Sequence, residues 1–186
     1  GTVGALDVLP DGRLVAAVRE STAIPSLLIL SPTGVKLNRV ILAASADPFL
    51  VDSVCLATDP SDGFYLGFLF SDRVEKRNGR GEPIWSKTPF GGRKASQESV
   101  AGLKVPSETC VQDLAVDQRG RLYVLGGGIA AHPGRDVLIF NPDGTAAGTF
   151  LLPEPSHSLY FDRQNRLYVS ADNGVTMKRY RLVSGD

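Results

Sequence analysis

Apolar residues come along this chain in short alternating runs, each cut off by a cluster of Asp, Asn, Pro, Gly or Ser. Alternation with a period of two and closely spaced turn residues predict β-strands joined by tight hairpins. One phrase of this kind, strand then turn then strand, occurs four times. It reads Leu6-Asp7-Val8-Leu9, Pro10-Asp11-Gly12-Arg13, Leu14-Val15-Ala16, and again Leu56-Ala57-Thr58-Asp59, Pro60-Ser61-Asp62-Gly63, Phe64-Tyr65-Leu66. It returns as Leu114-Ala115-Val116-Asp117, Gln118-Arg119-Gly120-Arg121, Leu122-Tyr123-Val124, and as Leu159-Tyr160-Phe161-Asp162, Arg163-Gln164-Asn165-Arg166, Leu167-Tyr168-Val169. The copies align without a gap at offsets of 50, 58 and 45 residues. A helical reading fails, because no stretch keeps apolar residues at 3.6-residue spacing over several turns. Ala43 to Asp47 and Gln97 to Leu103 have room for a short helical turn at most.

The turn chemistry explains the phrase. In Asp117-Gln118-Arg119-Gly120 the carboxylate accepts from backbone N–H groups ahead of it, and Gly120 supplies the φ > 0 position that closes the turn. The fourth copy has Asn165 there, the non-glycine residue most tolerant of that region, so Asn165→Gly is expected to be neutral or mildly stabilising. A second hairpin phrase follows each first: Leu27-Leu28-Ile29-Leu30 with Ser31-Pro32-Thr33-Gly34, and Val137-Leu138-Ile139-Phe140 with Asn141-Pro142-Asp143-Gly144. Weaker forms run from Arg73 to Gly81 and from Met177 to Gly185, and outer strands are expected at Val35 to Leu42, Glu82 to Trp85 and Thr145 to Leu152. Each unit is then a four-stranded antiparallel meander.

One such sheet buries both faces only when units are arranged radially, and the repeat offsets lie in or near the period of propeller blades. The expected fold is therefore all-β, a β-propeller built of four-stranded antiparallel blades. It forms one domain over 1–186, with blades near 4–50, 51–88, 109–153 and 154–186 and an inserted loop at 89–108. About four blades are present. The fourth reaches Asp186 without an outer strand and only Gly1 to Gly4 precede the first inner strand, so the expected ring is partial or open. Its bare edges call for cover by a partner chain, by further residues of the same protein, or by self-association.

Bulk properties change this picture little. With 186 residues, 42 % of them hydrophobic, the chain can bury a substantial core. Twenty basic residues balance twenty acidic ones, which leaves no nucleic-acid or anionic-membrane footprint in the totals. No apolar run approaches the ~20 residues of a membrane-spanning helix. Cys55 and Cys110 are the only thiols, compatible with one disulfide or with two buried free thiols, and their spacing matches no metal, redox or haem motif.

The stretch DLAVDQRGRLYVLGG from Asp113 to Gly127, followed by DVLIFNPDGTAAGTF from Asp136 to Phe150, resembles the blades of NHL-repeat and related six-bladed, TolB-like β-propellers. The resemblance covers essentially the whole chain. RNGRGEPIW from Arg77 to Trp85 is similar to the outer strands of quinoprotein-like propellers, and there is no Gly-His with Trp-Asp pair of the WD-repeat kind. The family resemblance is strongest to secreted and periplasmic members, which implies a periplasmic or secreted protein and association with a larger envelope complex.

Candidate chemistry belongs at the entrances of the inner strands, around the central channel. The equivalent positions there are Ala5, Cys55, Asp113 and Ser158, with Gly4, Val54, Gln112 and His157 one step earlier. Cys55, Asp113, His157, Ser158 and Gln112 are the channel-mouth candidates. A metal-dependent lactonase or lyase needs several converging carboxylates or histidines, and only Asp113 and His157 qualify, so no metal or cofactor is assigned. His132 sits in a glycine-rich loop, Gly126 to Gly134, that lacks the Lys-Ser/Thr of a phosphate loop. Arg73, Lys76, Arg77 and Arg80 are interleaved with Asp72, Glu75 and Glu82, the pattern of a solvated strand face rather than of a nucleic-acid site. The long segment 89–103 has little apolar content for a private core. It is expected to be mobile when free and to contact a protein partner through Phe90, Arg93, Lys94, Gln97 and Glu98. The leading expectation is a non-catalytic protein-interaction or scaffold subunit. The alternatives are a hydrolase- or lyase-like propeller enzyme with its site at the channel mouth, and a small-molecule or glycan-binding propeller.

Overall fold

Each strand–turn–strand phrase closes as a hairpin in a computed structural model of the chain, which describes residues 2–19, 25–42, 53–100, 103–171 and 174–181. The first sheet runs β1 (Thr2–Val8), β2 (Leu14–Arg19), β3 (Pro25–Leu30) and β4 (Lys36–Ile41). The second runs β5 (Val54–Asp59), β6 (Gly63–Phe68), β7 (Val74–Asn78) and β8 (Pro83–Lys87). A separate hairpin, β9 (Gln97–Val100) and β10 (Leu103–Pro106), precedes the third sheet of β11 (Val111–Val116), β12 (Leu122–Gly126), β13 (Asp136–Phe140) and β14 (Ala146–Leu151). The last sheet has β15 (Leu159–Phe161), β16 (Leu167–Ala171) and β17 (Thr176–Tyr180). Pairing is antiparallel throughout. β1, β5, β11 and β15 lie beside one another in that order. The sheets are consecutive blades of a partial β-propeller with about four blades.

The turns obey the residue types that close them. Gly12, Gly120 and Asn165 have φ of 86°, 75° and 58°, and the second copy places Asp62, at 66°, in the same left-handed position. Asn165 does more than tolerate that region: its Oδ1 accepts the backbone N–H of Gln118 at 2.9 Å, tying the fourth blade to the third. Glycine there would keep the turn but lose this bond, so Asn165→Gly is now expected to be mildly destabilising.

A carboxylate at the end of the inner strand organises each of these turns. Asp117 accepts the N–H groups of Arg119 and Arg121 at 2.9 Å each, the Arg121 Nε at 2.7 Å and the Tyr123 hydroxyl at 3.3 Å. Asp162 repeats the set with Gln164, Arg166 and Tyr168. Burial by itself would raise its pKa, but these donors together bring it down to about 2. In the second blade Asp59 takes Ser61 and Tyr65, and its cation comes from β7 instead, with Lys76 Nζ at 2.6 Å. The first blade has Leu9 and Val15 at the Asp and Tyr positions, and Asp11 inside the turn holds Arg13.

Successive blades pack through alternating positions. Ala17, Leu27 and Val15 of the first blade meet Val54, Phe64, Leu66 and Phe68 of the second. Ala57, Tyr65 and Val74 then meet Val111, Leu114, Leu122 and Val124, with the Trp85 ring beside Tyr65 and Phe140. Tyr123, Leu125 and Val137 meet Leu159, Phe161, Leu167 and Val169. At about 1.5–3 kcal/mol for each large apolar side chain fully buried, these three interfaces dominate cohesion. Polar ties reinforce them: Thr58 N–H donates to Asp7 at 2.8 Å, and the Tyr65 hydroxyl donates to the Gly120 carbonyl at 3.0 Å.

Two sequence expectations are corrected here. Gln97–Val100 is a strand rather than a helical turn, because Leu103–Pro106 pairs with it; Ala43 to Asp47 lies outside the described residues. The basic cluster is not a solvated face. Glu75, Lys76 and Arg77 are buried, Arg77 and Glu75 pair at 2.6 Å, and Lys76 donates to the Pro142 carbonyl of the next blade at 3.1 Å.

A Cβ at residue 120 would meet Pro142 Cγ at 3.3 Å and Asp59 Oδ1 at 3.5 Å in a left-handed backbone. Gly120→Val is therefore expected to cost about 1–3 kcal/mol, read as a lower melting temperature and denaturation midpoint. Equal midpoints for the two proteins would overturn the role assigned to this turn.

Candidate functional site

The entrances of the inner strands form one rim, and β-bulges shape it. The β11–β12 register slips between Val111 and Asp113, leaving Gln112 unpaired in the ladder, and β1 has the same slip between Val3 and Ala5. The slip aims Asp113 across the blade boundary, where its carboxylate accepts the Leu159 N–H at 2.8 Å. Burial pushes the Asp113 pKa up to about 6, more than the Leu159 and Leu114 N–H groups pull it down. Cys55 donates from Sγ to the Gly67 carbonyl at 3.4 Å, and burial, with the Asp113 charge second, pushes its thiol well above the usual range. A thiol held protonated in this way is a poor nucleophile.

The other candidates are placed differently. Gln112 accepts from the Thr109 hydroxyl at 2.9 Å. His157 and Ser158 lie just before β15. Their N–H groups both donate to Ser170 Oγ, at 2.9 and 3.0 Å, while the His157 ring is exposed. The Asp113 charge thus reaches Cys55, whereas no hydrogen bond among the described residues joins His157 or Ser158 side chains to either. Nor do three His, Cys, Asp or Glu side chains converge among the described residues. Cys110 is buried, and both cysteines are free thiols.

The segment 89–103 differs from its expectation. Asp72, with no local motif to announce it, accepts the Phe90 N–H at 3.0 Å and the Gly92 N–H at 2.6 Å. Phe90 packs against the core between the second and third blades, and Arg93 donates to the Ile129 carbonyl at 3.1 Å. Lys94 bridges to Ser71. Only beyond this anchored base does the chain project, as the β9–β10 hairpin, where Gln97 and Glu98 are exposed.

A surface that sequence reading did not single out lies on the first blade. Its face away from the second blade carries Val3, Leu6, Val8 and Ile41, which are 58, 58, 52 and 62 % exposed. Leu6 is the repeat equivalent of Leu56, and Leu14 and Ala16 of Phe64 and Leu66, the residues that the second blade buries against the first. The signal was present in β1, where Leu6 and Val8 alternate with Ala5 and Asp7, so that the strand has apolar residues on both sides. At the other end of the array the fourth blade leaves Tyr160 and Met177 59 and 57 % exposed.

No protein-family model matches the chain, and no curated protein matches it by sequence. Solved structures do. A catalytically inactive virginiamycin B lyase from Staphylococcus aureus, in complex with quinupristin, superimposes with a TM-score of 0.60 at 10 % identity, over 98 % of this chain and 56 % of that one. The WD40 domain of Neurospora crassa Pan2 gives 0.57 at 11 % identity, over 97 % and 50 %. BBS1N, in complex with ARL6DN, gives 0.57 at 13 % identity, over 96 % and 48 %. The fold is that of a β-propeller, and the chain spans about half the length of these structures.

Two outcomes follow from the local geometry. A folded-state pKa of about 6 lies above the ordinary value of about 4, so the folded chain holds the Asp113 proton more tightly, and stability falls as pH rises across that interval. Asp113→Asn, which keeps an acceptor for Leu159, is expected to raise the melting temperature at neutral pH and to leave it nearly unchanged near pH 4; a difference independent of pH would refute the raised pKa. Ser107 N–H already donates to the Ser96 carbonyl at 2.9 Å. Joining Ser96 to Ser107, with 97–106 removed, should leave the melting temperature near that of the parent, whereas deleting 91–102 also removes the Gly92 bond to Asp72 and should lower it.

Proposed function

We propose that this chain is a non-catalytic protein-binding propeller, of the NHL-repeat or TolB-like kind, that serves as an accessory or scaffold subunit of a larger assembly outside the cytoplasm. The observation that carries the reading is the first blade's apolar face. Its positions are those by which each later blade is buried against its predecessor, and here Val3, Leu6, Val8 and Ile41 stand exposed. Faces of this kind mark interaction surfaces, and their natural complement is another blade-like sheet. The partner is accordingly a polypeptide that presents an apolar sheet face, with the β9–β10 hairpin as a second contact. The NHL-type assignment and the extracytoplasmic placement are supported by the hairpin phrases and the family resemblance. The likeness to BBS1N, solved in complex with another protein, fits the same reading.

A second reading, a propeller enzyme at the channel mouth, is favoured by one observation: the Asp113 carboxyl, with a pKa of about 6, sits at the rim beside Cys55, poised as a general base at neutral pH. The lyase among the structural neighbours is consistent with it.

The test is affinity capture of the tagged chain from its native source, followed by crosslinking and mass spectrometry. Crosslinks to one partner should concentrate around the first blade's outer face, and the double variant Leu6→Asp, Val8→Asp should lose the partner while keeping its β-sheet circular dichroism and its melting transition. Capture unaffected by that variant, crosslinks confined to the channel mouth, or a chain that sediments as a lone monomer without any captured polypeptide would overturn the proposal.

A further inference from the structure

The β9–β10 hairpin differs from the blades in its edges. In each four-stranded blade the outer strand joins its neighbour through a bulge, at Ile29/Leu30, Lys76/Arg77 and Ile139/Phe140, a device that blunts an open edge. The β9–β10 ladder runs without a break, from Gln97 opposite Pro106 to Val100 opposite Leu103. Its base is tied together. The Ser96 carbonyl accepts both the N–H and the hydroxyl of Ser107, at 2.9 and 3.1 Å, and the Ser96 hydroxyl donates to Glu108 at 3.1 Å. Below that base the Asp72 bonds to Phe90 and Gly92, and the Arg93 bond to Ile129, fix the segment to the second and third blades.

The Ser107 bond also sets the phase of the ladder. Opposed antiparallel residues alternate between pairs that exchange N–H and C=O with each other and pairs that turn both groups outward. With Ser96 and Ser107 joined, Glu98–Val105 and Val100–Leu103 are the inward pairs. Gln97 and Ser99 therefore point N–H and C=O away from β10, while Lys104 and Pro106 turn away from β9. The two edges are unlike. Pro106 has no N–H to give, so β10 is closed to a further strand. β9 offers two donors and two acceptors in register, and no hydrogen bond among the described residues uses them. All of its residues are exposed.

We infer that the β9 edge binds an extended polypeptide segment as an added antiparallel strand, whose main chain bonds to Gln97 and Ser99. Main-chain pairing supplies affinity in this mode, and alternate side chains supply selectivity. Glu98 and Val100 stand on one face of β9, with Val100 56 % exposed. In the added strand the residue opposite Glu98 lies within ~5 Å of it and is basic, and the residue opposite Val100, two positions earlier, is apolar and β-branched. The partner's segment thus reads apolar, any residue, then Lys or Arg, without proline. A third strand also stabilises what is otherwise a two-stranded ribbon. The inference defines the contact at the hairpin and rests on the protein-binding reading, but the first blade's face has no part in it.

Amide hydrogen exchange and a proton–nitrogen NMR titration of the full chain test it, with the capped peptide acetyl-Thr-Val-Thr-Lys-Thr-amide as probe. In the free chain the Glu98 and Val100 amides should exchange more slowly than those of Gln97 and Ser99. The peptide should bind saturably, shift the Gln97 and Ser99 amides and slow their exchange. The same peptide N-methylated at its central threonine, the residue opposite Ser99, should not bind. Ser99→Pro should weaken binding about tenfold or more through the lost donor, with the slow Glu98 and Val100 amides reporting an intact hairpin. Ser99→Ala, which keeps the main chain, and Lys104→Pro, which puts the same ring on the other edge, should bind as the parent does. Partner capture separates this inference from the reading beneath it. A partner lost with Leu6→Asp, Val8→Asp but retained by Ser99→Pro leaves the protein-binding role standing and overturns the added strand. Absence of peptide binding, equal binding of the N-methylated peptide, or Gln97 and Ser99 amides already protected in the free chain, as when the chain covers its own edge, would overturn it too.

Discussion

The structure depends on one arrangement, a carboxylate at the end of an inner strand that collects backbone N–H groups, a cation and a tyrosine hydroxyl from its own hairpin. Asp117 and Asp162 do this within a single turn, and the Arg121 and Arg166 guanidinium groups neutralise them. The same aspartate holds a large aromatic ring, Tyr65 or Tyr123, against the next blade, so satisfying the turn and building the interface are one event. Burial, with Asp117 second, pushes the Tyr123 hydroxyl up to about 12, which keeps it a donor at any ordinary pH. Asp59 borrows Lys76 from β7 because its turn has Gly63 where the others have arginine. The first blade lacks both the aspartate and the tyrosine at these positions, and Val15 supplies its forward packing instead.

This arrangement gives each blade a direction. Tyr65 and Tyr123 project forward, and Phe64, Leu66, Leu122 and Val124 receive the blade before. A directional interface repeated along a fan of blades leaves unlike faces at its two ends. Leu6 and Val8 belong to a receiving face, and Tyr160 and Tyr168, whose rings lie 6.3 Å apart, to a forward one. The exposure of both is the direct consequence of a packing rule that has no natural stopping point until a ring closes.

The two ends of the inner strands have opposite electrostatic character. At the mouth, burial holds Asp113 partly protonated and Cys55 wholly so, an environment that resists charge. At the turn ends the Arg121 and Arg166 side chains are partly exposed to solvent. The turn aspartates anchor both guanidinium groups, so the fold-forming device of the third and fourth blades also fixes where those charges stand.

Strands, hairpins and left-handed positions are legible in the residues alone, because these depend on neighbours a few positions apart. Asp117, Gly120 and Asn165 declare their geometry through local backbone chemistry, and period-two alternation declares which strands have a buried face. The radial arrangement was also legible, through repetition. What depends on partners far along the chain emerges only when the blades pack. Lys76 and Arg77 read as surface charges, yet they are buried, because Asp59 and Pro142 reach Lys76 from other elements and Glu75 lies beside Arg77. Phe90 and Arg93 read as free contacts, yet they are anchored by Asp72 and Ile129. Of the channel-mouth candidates, the rim position of each was visible in the repeat alignment, but the reach of Asp113 to Leu159 required a bulge that no pattern announces.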